Sequence, residues 1–293
     1  MADILLATLN ARYAHTSFSL RYLKANLGAL EGRAEILERT IQDRPVDVVE
    51  RILEKDPRIV GLSVYIWNAA PMLEIVRLLK RVSPETVVVL GGPEVSYEVE
   101  PQELCRHADY VVTHEGERAF RELCEAVLEG RPTGGPILAG GRLAPESLRL
   151  PYRLYSDEDL RHRTLYVEAS RGCPFRCQFC LSSLDESVRH LPLDPLLSEL
   201  ELLLARGARH FKFIDRTFNL RLEVSRRILD FFLERYQPGL FLHFEMIPDR
   251  FPESLRPLLR RFPAGALQLE VGIQTFDPEV ASRIERRQNY RKL

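Results

Sequence analysis

The chain has 293 residues with a formal net charge of -1, and 45% of them are hydrophobic. This length predicts two domains, each able to bury a core, and the near-zero charge gives no electrostatic footprint for nucleic acid or an anionic membrane. No apolar run approaches the roughly 20 residues of a membrane-spanning helix, and the N-terminal residues carry no export signal. We therefore expect a cytoplasmic protein with no membrane partner, for which nucleic acid is a disfavoured partner.

The first part of the chain, residues 1–130, alternates short apolar runs with amphipathic segments. This alternation predicts an α/β domain with a doubly wound, Rossmann-like parallel sheet. Five strands are predicted, at Ile4 to Leu9, Ala34 to Ile41, Ile59 to Val64, Thr86 to Leu90 and Tyr110 to Thr113. Residues 131–163 are rich in Gly and Pro, which indicates a linker.

A second alternating series occupies residues 164–293. Four strands are predicted here, at Thr164 to Ala169, His210 to Ile214, Leu240 to Ile247 and Leu267 to Val271. Four strands with intervening helices predict a partial (β/α) barrel. The segment from Pro278 to Leu293 is predicted to begin a helix, and its abrupt basic end favours a C-terminal truncation. We expect such a chain to be a poor catalyst by itself.

Three of the five cysteines, Cys173, Cys177 and Cys180, lie on one short loop after the first strand of this second series. Thiolates at this spacing can hold three corners of a [4Fe-4S] cluster and leave one iron without a protein ligand. An open coordination position is typical of a catalytic metal site. The alternative is a zinc site completed by His190, although no second CxxC or HxxxH pair follows.

The CxxxCxxC loop resembles the signature of the radical SAM superfamily. The resemblance implies a [4Fe-4S] cluster that cleaves S-adenosylmethionine reductively into a 5′-deoxyadenosyl radical, with a reductant such as flavodoxin or ferredoxin as partner. It also implies cofactor contacts for Phe179, beside adenine, and for Asp215, at the end of the second strand. Glu245 shares a strand face with His243 by the period of two, and Gln274 lies in a stretch similar to the family's GxQ motif. We predict cofactor contacts for both Glu245 and Gln274, with a buried polar pair as the alternative for His243 and Glu245.

Glycines follow the fourth and fifth predicted strands of the first domain, at Gly91, Gly92 and Gly116. Spacing alone indicates that they turn the chain, but glycine also lets a broad ring approach the ends of strands. The GGP and HEGE stretches around them resemble the cobalamin-binding domain of one radical SAM branch, which implies cobalamin as a further cofactor. The cobalt-ligating DxHxxG motif is missing, and only His15 matches it, so the resemblance implies a corrinoid without a histidine ligand.

These features together predict a radical SAM enzyme with bound cobalamin that performs methyl transfer or radical rearrangement on a small-molecule or unknown substrate. Two alternatives remain at this point. One is a radical SAM enzyme that modifies RNA without cobalamin, and the other is a truncated, non-catalytic remnant that binds cofactors.

Overall fold

The computed structural model describes residues 2–185, 187–286 and 288–292. The chain divides into two compact units, Met1–Leu154 and Tyr155–Leu293. Each unit is built on a parallel sheet, so the α/β class predicted from the alternating pattern is confirmed. The residues predicted as a linker, 131–163, are shared between the two units.

The first unit has six strands and five α-helices. The strands are β1 (Ile4–Asn10), β2 (Ala34–Thr40), β3 (Ile59–Ser63), β4 (Val87–Gly91), β5 (Tyr110–Thr113) and β6 (Ile137–Ala139). The helices are α1 (Phe18–Ala25), α2 (Pro45–Leu53), α3 (Ala69–Val82), α4 (Glu103–His107) and α5 (Glu117–Glu129). The strands pair in the order β2-β1-β3-β4-β5-β6, and all pairs are parallel. The order reverses between β1 and β3, which makes their carboxyl ends the topological switch point of the sheet.

The apolar runs of the first unit form strands because helices cover both faces of the sheet. Every residue of β1 and β3 is buried, as expected for central strands of a parallel sheet. The strand β6 lies in the predicted linker, where we expected no strand. It has three residues at the sheet edge, and Ile137 is 40% exposed, so it is too short to produce a recognisable pattern.

The second unit holds a separate four-stranded parallel sheet. The strands of this unit, inside and outside that sheet, are β7 (Leu165–Val167), β8 (Ser170–Arg171), β9 (Arg189–His190), β10 (His210–Phe213), β11 (Phe241–Met246) and β12 (Leu267–Val271). Its helices are α6 (Asp157–His162), α7 (Leu193–Ala205), α8 (Leu222–Glu234), α9 (Arg256–Leu259) and α10 (Pro278–Arg283). The sheet order is β12-β11-β10-β7, while β8 and β9 pair antiparallel as a two-residue ribbon apart from it.

An aromatic core holds this second sheet against α8. Phe213 stacks on Phe244 with ring centroids 4.7 Å apart, and Phe211 lies 5.3 Å from Phe232 of α8. Burial alternates along β11, because successive side chains of a strand point to opposite faces. The polar residues of β10, β11 and β12 therefore share the face away from this core.

The predicted terminal helix is shorter than its pattern indicates. The helix α10 ends at Arg283, and the described residues after it form hydrogen bonds with the cysteine loop and the loop after β12. Arg287 and Leu293 of that prediction lie outside the described residues.

Among the helices of the described residues, none combines the length and the apolar character that crossing a membrane requires.

Candidate functional site

The cysteine loop is closed at its base by the ribbon of β8 and β9. Just inside the ribbon, Gly172 has φ +91°, and an added Cβ there would lie 2.1 Å from the backbone oxygen of Ser187. Only glycine tolerates both conditions. The backbone N–H of Cys173 donates to Asp185 O at 2.9 Å. These backbone contacts fold the loop back on itself.

The three cysteine side chains of the loop meet at one cavity. Cys173 and Cys177 are buried and Cys180 is half-buried, and all three line a cavity of about 210 Å³ at the carboxyl end of the second sheet. Burial raises the pKa of the Cys173 thiol, and the two neighbouring thiols act in the same direction, while the backbone N–H of Phe175 opposes them. Such a thiol favours a positively charged partner, which stabilises its thiolate form.

The described residues contain no group of three His, Cys, Asp or Glu side chains gathered closely enough to hold a single metal ion. A cubane cluster binds each thiolate at a different iron and therefore needs donors spread around it. His190, the ligand considered for zinc, lies on β9 and is not among the residues that line the cavity.

Three further residues predicted from the sequence, Phe179, Glu245 and Gln274, line the same cavity. Phe179 is 53% exposed. Glu245 Oε2 lies 3.7 Å from Nη1 of Arg216. Gln274 has φ +62°, and its amide lies over Gly272, where an added Cβ would be 2.8 Å from Nε2. The structure thus brings these three side chains together with the cysteines, and their cofactor contacts remain predictions.

Asp215 has a different environment. Its carboxylate is buried and accepts hydrogen bonds from the backbone N–H of Ala169 at 2.9 Å and from Oγ of Ser170 at 2.6 Å. Burial raises the pKa of Asp215 to about 7, against the effect of these hydrogen bonds. Asp215 links the ends of β10 and β7 and does not line the cavity, whereas Arg216 and Thr217 do. The cofactor contact that the resemblance implies for Asp215 stays a prediction.

His243 and Glu245 share one face of β11, as the period of two predicts, but their partners differ. His243 Nε2 lies 2.9 Å from Oε2 of Glu270, which is also 3.4 Å from Nζ of Lys212. Burial and Lys212 lower the pKa of His243. A row of charged side chains therefore crosses this face beside the cavity.

Several cavity residues carried no clear signal in the sequence. Arg216 and Thr217 follow the predicted Asp215 directly, beyond the end of β10, and Ile247 lies just beyond the end of β11, so only their nearness to predicted residues marks them. Arg286 lies on a segment predicted as continuous helix, and no motif marks it.

Two polar atoms at the cavity lack partners. Within the part of the chain that the structure describes, Thr217 Oγ1 and Arg286 Nε are buried and form no hydrogen bond. Buried polar atoms in proteins are almost always hydrogen-bonded. Together with three thiols, these atoms fit a site that holds a bound polar group.

At the switch point of the first sheet, one buried side-chain amide links the ends of β1 and β3. Asn68 Nδ2 donates to Leu9 O at 3.1 Å and to Ser63 O at 3.2 Å, and its Oδ1 accepts from Tyr65 N at 2.8 Å. Beside it, Tyr65 stacks on Trp67 with ring centroids 4.4 Å apart, and Trp67 is 47% exposed. A rigid strand edge with an exposed aromatic surface results.

The three glycines predicted to contact cobalamin differ in the atoms that an added Cβ would contact. Gly92 has φ +113°, and an added Cβ would lie 2.4 Å from Val64 O, so the neighbouring backbone requires glycine. Added Cβ atoms at Gly91 and Gly116 would lie 3.5 Å from Val112 O and 3.3 Å from Val112 Cγ1. Gly92 thus has a structural reason to be glycine, while contacts of all three with a corrinoid remain predictions.

Two family models match the chain. The B12 binding domain model matches residues 4–124, and the Radical SAM superfamily model matches residues 167–293. An uncharacterized methyltransferase of Pyrococcus horikoshii is 29% identical over an alignment of 288 residues that covers 89% of this chain and 61% of the relative. The cobalamin-dependent radical SAM methyltransferase TokK of Streptomyces tokunonensis is 27% identical over an alignment of 197 residues that covers 56% of this chain and 28% of TokK.

Solved structures share the fold. TsrM of Kitasatospora setae, a radical S-adenosylmethionine methyltransferase determined with cobalamin and a [4Fe-4S] cluster bound, matches with a TM-score of 0.71 at 22% identity. The match covers 96% of this chain and 63% of TsrM. The chain therefore spans about three fifths of the length of these relatives, and less of TokK. The chain therefore matches a B12 binding domain over residues 4–124 and, after it, the Radical SAM superfamily over residues 167–293.

Proposed function

We propose that this protein is a cobalamin-dependent radical SAM methyltransferase that acts on a small molecule. The observation that carries the proposal is the meeting of Cys173, Cys177 and Cys180 with Glu245 and Gln274 at one cavity. When bound, the [4Fe-4S] cluster supplies the electron that cleaves S-adenosylmethionine reductively, and the cobalamin carries the methyl group.

The three cysteines would hold the cluster. Thiolates are the preferred protein ligands of iron–sulfur clusters, and two of these three side chains are buried, which keeps water away from the cluster. The hydroxyl of Thr217 has no partner among the described residues and is available to a bound group at the same cavity.

S-adenosylmethionine would lie against the strand ends of β11 and β12. The Glu245 carboxylate suits the methionyl ammonium, and the amide of Gln274 can both donate and accept hydrogen bonds. The exposed ring of Phe179 offers a face for adenine. Arg216, 3.7 Å from Glu245, holds that carboxylate at the cavity and suits the carboxylate of the ligand.

Cobalamin would bind at the carboxyl edge of the first sheet, near the switch point where doubly wound folds take their ligands. The stacked, partly exposed pair of Tyr65 and Trp67 gives this edge a flat aromatic surface. Gly91 leaves the end of β4 without a side chain. Both features suit a broad planar ring.

A small-molecule substrate is supported by the relatives. One, from Streptantibioticus cattleyicolor, is a 2-(S-pantetheinyl)-carbapenam-3-carboxylate methyltransferase and is 29% identical over 64% of this chain, and TsrM was determined with a tryptophan substrate and a SAM analogue bound. The net charge of -1 does not favour RNA. A cytoplasmic reductant such as flavodoxin or ferredoxin completes the proposal.

The test uses the full chain reconstituted anaerobically with iron, sulfide and cobalamin. We expect an ultraviolet–visible spectrum with both cluster and corrinoid bands, and 5′-deoxyadenosine on addition of S-adenosylmethionine and dithionite. Replacing Cys173, Cys177 and Cys180 together with alanine should abolish iron and sulfide binding, while Cys105→Ala, outside the loop, should not.

The contrary outcomes separate the alternatives. Stoichiometric zinc in the anaerobically purified protein, or unchanged iron in the triple variant, would refute the cluster. A cluster without cobalamin retention would favour the RNA-modifying class. Retention of both cofactors with no cleavage of S-adenosylmethionine would favour the non-catalytic remnant.

A further inference from the structure

The guanidinium of Arg286 touches a cysteine of the loop. Nη1 donates to Sγ of Cys177 at 3.6 Å, and Nη2 donates to Gly272 O at 2.5 Å. One side chain thereby joins the cysteine loop to the end of β12, where the chain continues to Gln274. Arg286 also lies between the cysteine-lined cavity and a second cavity of about 380 Å³ on the other side of Cys177.

The segment that carries Arg286 is fixed at several points. Ile284 O accepts from the backbone N–H of Gln178 at 3.1 Å, within the cysteine loop. Gln288 Nε2 donates to Ile273 O at 2.7 Å, and the backbone N–H of Asn289 donates to a carboxylate oxygen of Asp249 at 2.9 Å. These bonds on both sides of Arg286 hold its guanidinium at Cys177 and limit its freedom to turn towards solvent.

No carboxylate of the described residues neutralises the charge of Arg286. Among the described residues no carboxylate forms an ion pair with it, and its Nε is buried without a hydrogen-bond partner. Other shielded arginines do have carboxylate partners: Arg21 with Glu38 at 2.8 Å, Arg163 with Asp159 at 2.9 Å and Arg171 with Glu168 at 2.9 Å. Arg286 is half-buried, and a cation partly removed from water is stabilised by a nearby negative charge, so the site around Arg286 favours a negative group.

We infer that Arg286 is a positioning residue for the cysteine-bound cluster. The cluster supplies the missing negative charge, and Arg286 raises the reduction potential of the cluster. This inference rests on the proposed function. Hydrogen bonds to the sulfurs and nearby charge set the potential of an iron–sulfur cluster. A fixed cation beside the Cys177 thiolate favours the reduced, more negative form, and the bond to Gly272 O ties that sulfur to the strand end that carries Gln274.

The test compares variants of the full chain, each reconstituted anaerobically with iron and sulfide. Midpoint potentials come from a redox titration followed by electron paramagnetic resonance, and iron and sulfide are assayed in the same samples. Arg286→Met should shift the midpoint potential to more negative values. Arg286→Gln keeps N–H donors without the charge and should shift the potential less. Arg286→Lys keeps the charge and should have a potential close to that of the wild type. Arg283→Met is the matched control, because Arg283 lies on α10, is exposed and pairs with Glu279. It should leave the potential unchanged.

A wild-type potential in Arg286→Met at full iron and sulfide content would overturn the inference and leave the proposed function standing. If Arg286→Met takes up less cluster, the potential of Arg286→Gln decides, and a wild-type value there would overturn the inference equally. A wild-type chain that takes up no iron and sulfide overturns the cluster itself, and the inference with it.

Discussion

The carboxyl edges of the two parallel sheets differ in how their buried polar groups are hydrogen-bonded. At the switch point of the first sheet, the side-chain amide of Asn68 donates hydrogen bonds to the ends of both β1 and β3. At the edge of the second sheet, Thr217 Oγ1 and Arg286 Nε are buried without hydrogen-bond partners in the described chain. Both edges are expected ligand sites by topology.

The difference teaches how each edge relates to its cofactor. At the switch point, the first edge has its buried amide fully hydrogen-bonded within the protein and offers shape, namely exposed rings and a strand end without side chains. The second edge offers unsatisfied donors and thiols, so its groups are complete only with a ligand. We therefore expect changes at the first edge to act on folding, and changes of the cavity residues at the second edge to act on binding.

The largest effect is expected at Gly92. Gly92→Ala places a Cβ 2.4 Å from Val64 O at φ +113°, which should lower the free energy of unfolding by roughly 3–5 kcal/mol. Gly91→Ala is the matched control, because its Cβ meets only ordinary contacts. Urea unfolding of the cofactor-free chain measures both. Equal stabilities would mean that the backbone at Gly92 relaxes easily, and the first edge would then not be rigid.

The next effect concerns Asp215, which belongs to the fold of the second unit although it lies near the cavity. Its folded pKa is raised from 3.8 to about 7, so the folded state holds the proton more tightly than the unfolded state. Its stabilising contribution is complete below pH 4 and is lost as the pH rises through about 7.

Asp215→Asn removes this titration, so its stability relative to the wild type should rise between pH 4 and pH 7. The free energy of unfolding of the wild type should fall, relative to that of Asp215→Asn, by up to about 1.4 kcal/mol per pH unit across this range. Urea unfolding across the range tests the expectation, with the exposed Asp157→Asn as control. Parallel pH profiles for Asp215→Asn and the wild type would show that the carboxyl is not protonated in the fold.

The smallest effect is expected at Gln274. Gln274→Asn shortens the amide while keeping a residue type that tolerates φ +62°, so stability should change little. Affinity for S-adenosylmethionine should fall by about tenfold, on the order of 1.4 kcal/mol for one lost amide contact. Calorimetric titration of the reconstituted protein measures it, with the exposed Gln268→Asn on β12 as control. An affinity equal to the wild type would remove Gln274 from the site.

The strands of both sheets except β6 were predictable because their apolar runs are long and separated by helical segments. The cysteine loop was predictable because three thiols within eight residues follow a strand directly. The direction of Asp215 was not, since a residue just past a strand end has no period to fix where it points, and here its carboxylate turns back to Ala169 and Ser170. The role of Arg286 could not be predicted for another reason. Arg286 and Cys177 are 109 positions apart in the chain, and no local pattern encodes a contact over that separation.

The ribbon at the base of the cysteine loop has a consequence for assembly. Pairing of Ser170 with His190 and of Arg171 with Arg189 brings the loop ends together, so the loss of chain entropy on closing this loop occurs during folding. Iron and sulfide would then bind to a loop whose ends are already fixed, and cluster uptake would need little further ordering of the backbone at its base. The ribbon is separate from the four-stranded sheet, so this closure does not depend on pairing with the sheet.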